Sequence, residues 1–331
     1  MKKVVILFDI ATEPPADHNY KDLFKDVSFE SEKGVFDAVK KMGCDPILIG
    51  VHNDIYRLTR DLSKIQPDLV FNLTEAFGNR RDGAPQLAAL LDLLEIPYTG
   101  TKSLGLGLAQ DKNLAKKILV HHRIRVPKWI TSHLRRPLKS IKTFDWPAFV
   151  KPTMEESSEG ISRDSFVENE ADCLSRIRYL HEKFGTDVIV EEFIEGRELY
   201  VSVMGNQRLQ VLPIREISFK DYPEDLPKVA TYKVKWDPEY RKRWGIRNSF
   251  AKLTEEQTDA IQSVAKRCFE ALQLSGFARF DIRLKDDGEI VILEANPNPS
   301  LSPSDDFAQS ANKAGFEYGQ TVEKIIDLAL Q

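Results

Sequence analysis

The sequence predicts a parallel α/β domain followed by two blocks that mix strands and helices as α+β structures do. Over roughly the first hundred residues, aliphatic runs such as VVILF and DLVFNL alternate with helical patterns such as SEKGVFDAVKKMG. This alternation is typical of a parallel sheet covered by helices. A chain of 331 residues also exceeds what one core usually holds. We expect domains at 1–104, 105–195 and 196–331.

The later elements follow from local patterns. A helix DKNLAKKILVHH begins the second block near Lys112, and strands WPAFVKP and DVIVEEFIEGREL follow it. The third block contains the long helix TEEQTDAIQSVAKRCFEALQL, a strand pair and a closing helix near GQTVEKIIDLAL. The charged stretch 217–250, which precedes this long helix, is predicted as a loop. A loop of this length in a compact domain is usually a lid or a binding element.

Composition excludes several classes of function. The chain has 47 Lys and Arg against 51 Asp and Glu, so no basic surface for nucleic acid or an anionic membrane is expected. The scattered cysteines Cys44, Cys173 and Cys268 indicate neither a zinc site nor a disulfide framework. Asp9 interrupts the apolar amino terminus, which favours a buried strand over a signal peptide. We expect a cytoplasmic protein with small-molecule partners.

The stretch FARFDIRLKDDGEIVILEANP is predicted to be a β-hairpin. Asp287-Gly288 is the strongest turn signal of the chain. A two-residue turn there places Asp281 opposite Glu294 and Arg279 opposite Asn296. The other face of the hairpin is then core, formed by Phe280, Ile282 and Leu284 against Ala295, Leu293 and Val291.

Two facing carboxylates predict a cation on this hairpin. Like charges directly opposite on neighbouring strands cost roughly 0.2 to 1 kcal/mol. Carboxylate and amide oxygens are hard ligands, and Mg²⁺ at such sparse sites is usually shared with phosphates. The alternative is a longer turn that shifts the register and leaves exposed charges at an edge.

Several lysines are candidates for binding those phosphates. Lys151 ends an apolar strand, Lys112 lies in the first turn of a helix, and Lys235 lies in the long loop. For any one of them the alternative is a solvated surface lysine. The loop after Lys151 offers hydroxyl and backbone N–H groups at Ser157, Ser158 and Gly160.

Taken in order, these segments resemble the ATP-grasp superfamily, and specifically its D-alanine-D-alanine ligase branch. The resemblance runs over nearly the whole chain, in VFNLTEAF, DGAPQLAALLDLLEIPYTGT with QDKNLAKKIL, FVKPTMEESSEGIS, VIVEEFIEGRELYVSVMGN and GFARFDIRLKDDGEIVILEANPNPSL. It implies an ATP-grasp fold with an N-terminal parallel α/β (pre-ATP-grasp) domain.

The resemblance also implies roles for single residues. Lys112 and Lys151 match the lysines on the nucleotide phosphates, and Ser157 lies in the small-residue loop that closes over them. The implied adenine hinge and ribose carboxylate are Glu191, Phe193, Ile194 and Glu198. The implied metal ligands are Asp281, Glu294 and Asn296. Lys235 matches a mobile-loop lysine on the γ-phosphate, and Arg279 matches the arginine that stabilises the tetrahedral intermediate and the transferring phosphoryl group.

The implied reaction is ATP-dependent ligation. A carboxylate attacks the γ-phosphate to give an acylphosphate, an amine captures the acyl group, and ADP and phosphate are released. The expected cofactors are ATP and Mg²⁺, with Mn²⁺ as an alternative, and a homodimer stays open because related ligases are commonly dimers. Two other functions stay open: a genuine D-alanine-D-alanine ligase, and an ATP-binding protein of this fold without ligase turnover.

The chain departs from the family mainly on the substrate side. Asp26 is the nearest match to the glutamate that holds the first substrate's ammonium, and Trp236 replaces the usual tyrosine. Ser300 stands where the family has glycine. Asp305 and Asp306 replace a serine and an apolar residue, and would repel the carboxylate of a second D-alanine. We expect another amine as second substrate, whereas the alternative is that both aspartates cap the following helix.

Overall fold

The computed structural model describes residues 2–78, 80–154, 160–224 and 226–331. The strands are, in chain order, β1 (Lys3–Asp9), β2 (Asp45–Val51), β3 (Leu69–Asn72), β4 (Trp129–Ser132), β5 (Ala148–Pro152), β6 (Phe166–Val167), β7 (Val188–Glu192), β8 (Arg197–Met204), β9 (Gln210–Val211), β10 (Arg215–Phe219), β11 (Ile246–Phe250), β12 (Phe277–Leu284) and β13 (Ile290–Pro297). The α-helices are α1 (Glu30–Lys41), α2 (Ile55–Ile65), α3 (Ala84–Leu93), α4 (Ser103–Gln110), α5 (Lys112–His121), α6 (Glu170–Phe184), α7 (Tyr232–Trp236), α8 (Pro238–Arg243), α9 (Glu255–Ala271), α10 (Asp306–Lys313) and α11 (Tyr318–Ala329). None of the helices in these ranges is long and apolar enough to cross a membrane.

The N-terminal sheet is parallel, with strand order β2-β1-β3. Side chains of β1 alternate between two cores because successive residues of a strand point to opposite faces. Val4 and Ile6 pack with α1 and the C-terminal helices α10 and α11, whereas Val5 and Leu7 pack with α2 and α3. The predicted parallel α/β domain is thus present, and the C-terminal helices cover one of its faces.

Two antiparallel sheets follow. Strands β4-β7-β5-β6 form a sheet covered by α6, and β11-β10-β8-β12-β13 form a larger one, with β9 paired to β8. Helices α5 and α9 cover the core face of the larger sheet. The domain boundaries predicted from the sequence remain predictions, although each sheet falls inside one of the predicted segments.

The stretch 217–250 is more ordered than the predicted loop. It contains α7, α8 and strand β11, and Val234 of α7 is fully buried against Tyr200, Ile217 and Tyr222. The prediction missed these elements because both helices are short and the apolar residues that anchor them are widely spaced in a charged sequence.

The hairpin of β12 and β13 pairs Asp281 with Glu294 and Arg279 with Asn296, as predicted. The predicted turn is wrong, however. Lys285 and Glu289 close a three-residue loop in which Gly288 has a φ of 87°. A register shift between Asp281 and Ile282 then offsets that extra residue, so Ile282 faces Ile292 and Leu284 faces Ile290. The predicted pairs of Ile282 with Leu293 and Leu284 with Val291 are therefore wrong.

Candidate active site

The irregular hairpin places its polar residues at the junction of two cavities. The register shift leaves Leu293 as the extra residue of β13, and both Leu293 and Glu294 line a cavity between the two antiparallel sheets. Asn296 and Arg279 line a second cavity on the N-terminal side. One strand pair therefore serves both cavities.

The first cavity contains the residues that the resemblance implies for nucleotide binding. Its lining includes Lys151, Glu191, Phe193, Ile194 and Glu198. Phe193 and Ile194 directly follow β7, at the connection to the larger sheet, and Ile194 is 5% exposed. The structure thus brings the predicted adenine hinge and ribose carboxylate together around one cavity, which we call the nucleotide cavity.

Buried lysines surround the carboxylates of this cavity. Glu191 lies between Lys116 and Lys151, with each Nζ 3.0 Å from a different carboxylate oxygen. Lys112 Nζ lies 2.8 Å from Glu294 Oε1. Burial disfavours the charged form of Glu294, but Lys112 and Lys151 outweigh that effect and hold the pKa of the Glu294 carboxyl at about 2. The carboxylates of Glu191 and Glu294 are therefore both ionised, and the neighbouring lysines neutralise their charge.

The first turn of α5 explains the position of Lys112. Asp111 caps this helix by accepting hydrogen bonds from the N–H groups of Asn113 and Leu114, at 2.9 and 3.0 Å. The helix therefore begins at Lys112, which is 5% exposed. Lys116, one turn later on the same face, reaches Glu191 and also donates to the Leu293 carbonyl at 3.2 Å.

The predicted ribose carboxylate is itself held in place. Arg283 donates to Glu198 Oε2 at 2.8 Å, and the Tyr200 hydroxyl donates to Glu198 Oε1 at 3.1 Å. Arg283 also donates to the carbonyls of Gly196 and Lys228. Glu198 is 7% exposed, so these donors fix the direction in which its carboxylate faces the cavity.

The three residues implied as metal ligands fit Mg²⁺. Asp281 accepts two hydrogen bonds from Arg279, at 2.7 and 3.1 Å, and its carboxylate still has unused lone pairs. Asn296 Nδ2 is buried and has no hydrogen-bond partner among the described residues, which leaves the amide free to turn its oxygen toward a cation. In the described part of the chain no three His, Cys, Asp or Glu side chains cluster to hold a metal. Two carboxylates with one amide oxygen are nevertheless a hard donor set suited to Mg²⁺.

The second cavity has a volume of about 520 Å³ and contains the predicted substrate residues. Ser300, Asp305 and Asp306 line it together with Arg215 and Arg279. Lys235 borders both this cavity and the nucleotide cavity. We call it the acceptor cavity.

The two aspartates of the acceptor cavity have different surroundings. Asp306 accepts from Arg215 Nε at 3.0 Å and from Asn248 Nδ2 at 3.0 Å. Asp305 forms no ion pair within the described residues, and burial followed by the charge of Asp306 raises its pKa, against a hydrogen bond from Ser300. Asp305 occupies the N-cap position of α10, but its side chain makes no capping hydrogen bond.

Some predicted site residues lie elsewhere. Asp26 is fully exposed, and its carboxylate accepts from the N–H and hydroxyl of Ser28. Gly160 lines another cavity beside α6, with its carbonyl bound by Arg176 at 2.6 Å. Ser157 and Ser158 lie outside the described residues. The roles implied for these residues remain predictions.

The structure adds site residues that sequence reasoning missed. The spacing of Lys116 from Lys112 was a usable signal, because residues four apart on a helix share a face. Arg283 shares a strand face with Arg279 and Asp281 and could have been found by the same period of two. Nothing in the sequence pairs Arg215 with Asp306, which lie 91 positions apart.

Comparison with known proteins agrees with this geometry. Residues 118–327 match the family described as "D-ala D-ala ligase C-terminus". A D-alanine–D-alanine ligase of Halalkalibacterium halodurans is 33% identical over 316 residues, covering 93% of this chain and 95% of the relative. One from Desulfotalea psychrophila is 32% identical over 283 residues, covering 84% and 82%. The crystal structure of D-alanine–D-alanine ligase from Bacillus anthracis complexed with ATP superimposes with a TM-score of 0.75 and 22% identity, covering 100% of this chain and 98% of that one.

These matches confirm the predicted resemblance and the predicted ATP-grasp fold. They extend over nearly the whole chain, including the N-terminal domain that precedes the matched family region. The chain therefore belongs to the D-alanine-D-alanine ligase-like family of ATP-grasp proteins, whose members are C–N bond-forming ligases.

Proposed function

We propose that this protein is an ATP-dependent ligase that activates a substrate carboxylate as an acylphosphate and joins it to an amine. The observation that carries the proposal is the position of Lys235, which borders both the nucleotide cavity and the acceptor cavity. Glu294 also borders both cavities, and Arg279 lines the acceptor cavity. A γ-phosphate reaching out of one cavity would meet a carboxylate held in the other.

The chemistry follows from the charges at the junction. A carboxylate oxygen attacks the γ-phosphorus and ADP leaves, while Lys112, Lys151 and Lys235 stabilise the phosphoryl oxygens. The amine nitrogen then attacks the acyl carbon, Arg279 stabilises the oxyanion, phosphate departs with its C–O bond electrons, and the nitrogen loses a proton. Bound to Asp281, Glu294 and Asn296, Mg²⁺ would neutralise phosphate charge.

We propose that the amine carries a positive charge near Asp305. Asp306 is already neutralised by Arg215. The other two carboxylates of the cavity, Glu75 and Glu294, pair with Arg81 and Lys112, so among the described residues Asp305 is the one that remains for a ligand. Like-charge repulsion from Asp305 disfavours a second substrate whose carboxylate occupies the same place, as the resemblance implies for D-alanine. A diamine or a cationic amino acid fits these charges best.

The test is a phosphate-release screen over D- and L-amino acids and amines, with the products identified by mass spectrometry. We expect turnover with a cationic amine, and we expect Asp305→Ser to raise the KM for that amine about 10- to 100-fold, because a hydrogen bond to a charged group is lost. The control is Ser304→Ala, which removes a neighbouring hydroxyl without changing charge.

Two other results of the screen would each assign a different function. Synthesis of D-alanyl-D-alanine by the unmodified enzyme, with no preference for cationic amines, would assign it as a D-alanine-D-alanine ligase and contradict the role of Asp305. ADP release that stays flat with every pair, despite measurable ATP binding, would leave a nucleotide-binding protein without turnover.

We also propose a reducing, cytoplasmic location, where ATP is available. Cys173 and Cys268 are buried free thiols, and Cys44 is a partly buried one. A homodimer remains part of the proposal, and sedimentation of the purified protein tests it.

A further inference from the structure

A line of hydrogen bonds connects the start of α10 with helix α7. Both oxygens of Asp306 lie 3.0 Å from Asn248 Nδ2, and one also accepts from Arg215. Asn248 Oδ1 accepts from Arg241 Nη2 at 3.0 Å. Arg241 Nη1 in turn donates to the Val234 carbonyl at 2.6 Å. Four parts of the chain, β10, β11, α8 and α7, are thereby tied to one carboxylate.

In this line of hydrogen bonds, the chemistry of the groups fixes which one donates and which one accepts at each step. A carboxylate only accepts hydrogen bonds and a guanidinium only donates them. The amide of Asn248, placed between Asp306 and Arg241, therefore has a single satisfactory orientation. Removal of the carboxylate leaves the amide N–H groups of Asn248 without their acceptor and frees the side chain to turn.

Helix α7 needs such support from outside. It spans five residues, Tyr232–Trp236, and a helix of that length has almost no stability of its own. Besides its Thr231 cap and a backbone bond from Tyr232 to Ile161, it is held by the fully buried Val234 side chain and by the bond from Arg241 to the Val234 carbonyl. The next residue, Lys235, borders both cavities. A small displacement of α7 would move this lysine away from the junction.

We propose that Asp306 is a positioning residue that acts through Asn248 and Arg241 to fix Lys235 between the nucleotide and acceptor cavities. The proposal rests on the proposed function for the role of Lys235. It assigns Asp306 to the positioning of α7 rather than to substrate binding. Arg215 keeps the charge of Asp306 compensated in a site where the two side chains are 10% and 13% exposed.

A purely structural ion pair would behave differently. Replacing both members of a buried ion pair by apolar residues is often neutral or stabilising. Arg215→Leu with Asp306→Leu leaves no unpaired buried charge, yet it still removes the acceptor of Asn248. Arg215→Leu with Asp306→Asn keeps a carbonyl oxygen as that acceptor and serves as the rescue variant.

The chain offers a matched control one residue away. Glu216 follows Arg215 in β10 and forms a two-point ion pair with Arg197, at 2.8 and 2.7 Å. Neither residue lines a cavity of the site. Arg197→Leu with Glu216→Leu therefore removes an ion pair between β8 and β10, whose side chains are 35% and 19% exposed, without touching the line to α7.

Amide hydrogen exchange of residues 231–243 with Mg-ATP present is the first measurement. We expect exchange at least about 10-fold faster in the Arg215→Leu/Asp306→Leu protein, and near the unmodified rate in both the Asn rescue variant and the control. Unchanged exchange in the Leu/Leu protein, or an equal increase in the control, would overturn the proposal. This readout needs no ligase turnover, so it decides the proposal even where the proposed function fails.

The second measurement is ADP release from Mg-ATP with the best carboxylate and amine of the screen. We expect kcat to fall about 10- to 100-fold in the Leu/Leu protein, because small misplacements of a catalytic group cost that much, while the KM for the amine changes little. In a Lys235→Ala background this loss should disappear, since Asp306 acts through Lys235. If the loss of kcat persists undiminished in the Lys235→Ala background, or if the Leu/Leu replacement changes KM alone, the proposed action of Asp306 through Lys235 is contradicted.

Discussion

The nucleotide cavity and the acceptor cavity differ in how their charges are compensated. In the first, Glu191 pairs with Lys116 and Lys151, and Glu294 pairs with Lys112. In the second, Asp305 has no ion-pair partner within the described residues. The nucleotide end is thus assembled before any ligand arrives, whereas the acceptor end retains a charge for its ligand to match.

The largest expected effect tests whether the nucleotide end depends on its ion pairs. Glu191→Leu leaves Lys116 and Lys151 buried without their anion, which costs about 3–5 kcal/mol of the free energy of unfolding. Urea denaturation measures this loss. Glu192→Leu is the control, because its partner Arg125 is 33% exposed and the expected loss is about 1 kcal/mol or less. Equal losses in the two variants would contradict the comparison.

The next prediction concerns the junction of the two cavities. Glu294→Gln removes a proposed metal ligand and the anion beside Lys112, so ADP release should fall on the order of 100-fold and require more Mg²⁺. Titrating ADP release with Mg²⁺ measures both effects. Glu289→Gln, at the loop end of the same hairpin, should change neither. An unchanged Mg²⁺ requirement in Glu294→Gln would remove Glu294 from the metal site.

A further effect is expected in the N-terminal domain, at the carboxyl of Glu32 in the first turn of α1. Burial raises the pKa of Glu32 from 4.5 to about 7, and the charges of Asp9 and Glu75 add to the shift. The folded protein thus holds this proton more tightly than the unfolded chain, so the free energy of unfolding decreases as the pH rises through the window from 4.5 to 7.

Glu32→Gln should remove that part of the pH dependence, about 3 kcal/mol, in denaturation curves measured across the window. Asp37→Asn is the control, since Asp37 is an exposed carboxylate of the same helix. A variant that keeps the full pH dependence would show that Glu32 titrates normally.

The smallest effect is expected at Asp26. Its exposed carboxylate caps a short 3-10 helix, so Asp26→Ala should change stability little and leave the KM for the first substrate unchanged. Steady-state kinetics at varied carboxylate concentration provides the measurement. If KM instead rose by about one order of magnitude or more, equivalent to losing a hydrogen bond to a charged group, the ammonium-binding role that the resemblance implies would be supported.

The sequence predicted the nucleotide end better than the acceptor end for a physical reason. Strand periodicity was enough to place Asp281 and Glu294 on the site face, because that rule is local. Their direct pairing was predicted correctly from a wrong turn, since the extra loop residue and the extra residue of β13 cancel. The partnership of Arg215 with Asp306 depends on tertiary packing between a strand and a distant helix, and no local rule encodes it. The same holds for Leu293, since the sequence gives no sign of the register shift that places it in the nucleotide cavity.

Compared with a regular hairpin that has a two-residue turn, the hairpin of β12 and β13 contains one extra residue in its loop and one in its second strand. Their effects on the strand register cancel at Glu294. The two extra residues are held independently. Deleting Gly288 alone would leave a two-residue turn between Lys285 and Glu289, and deleting Leu293 alone would leave a regular ladder from Ile292 to Glu294. Either single deletion should therefore keep Glu294 opposite Asp281.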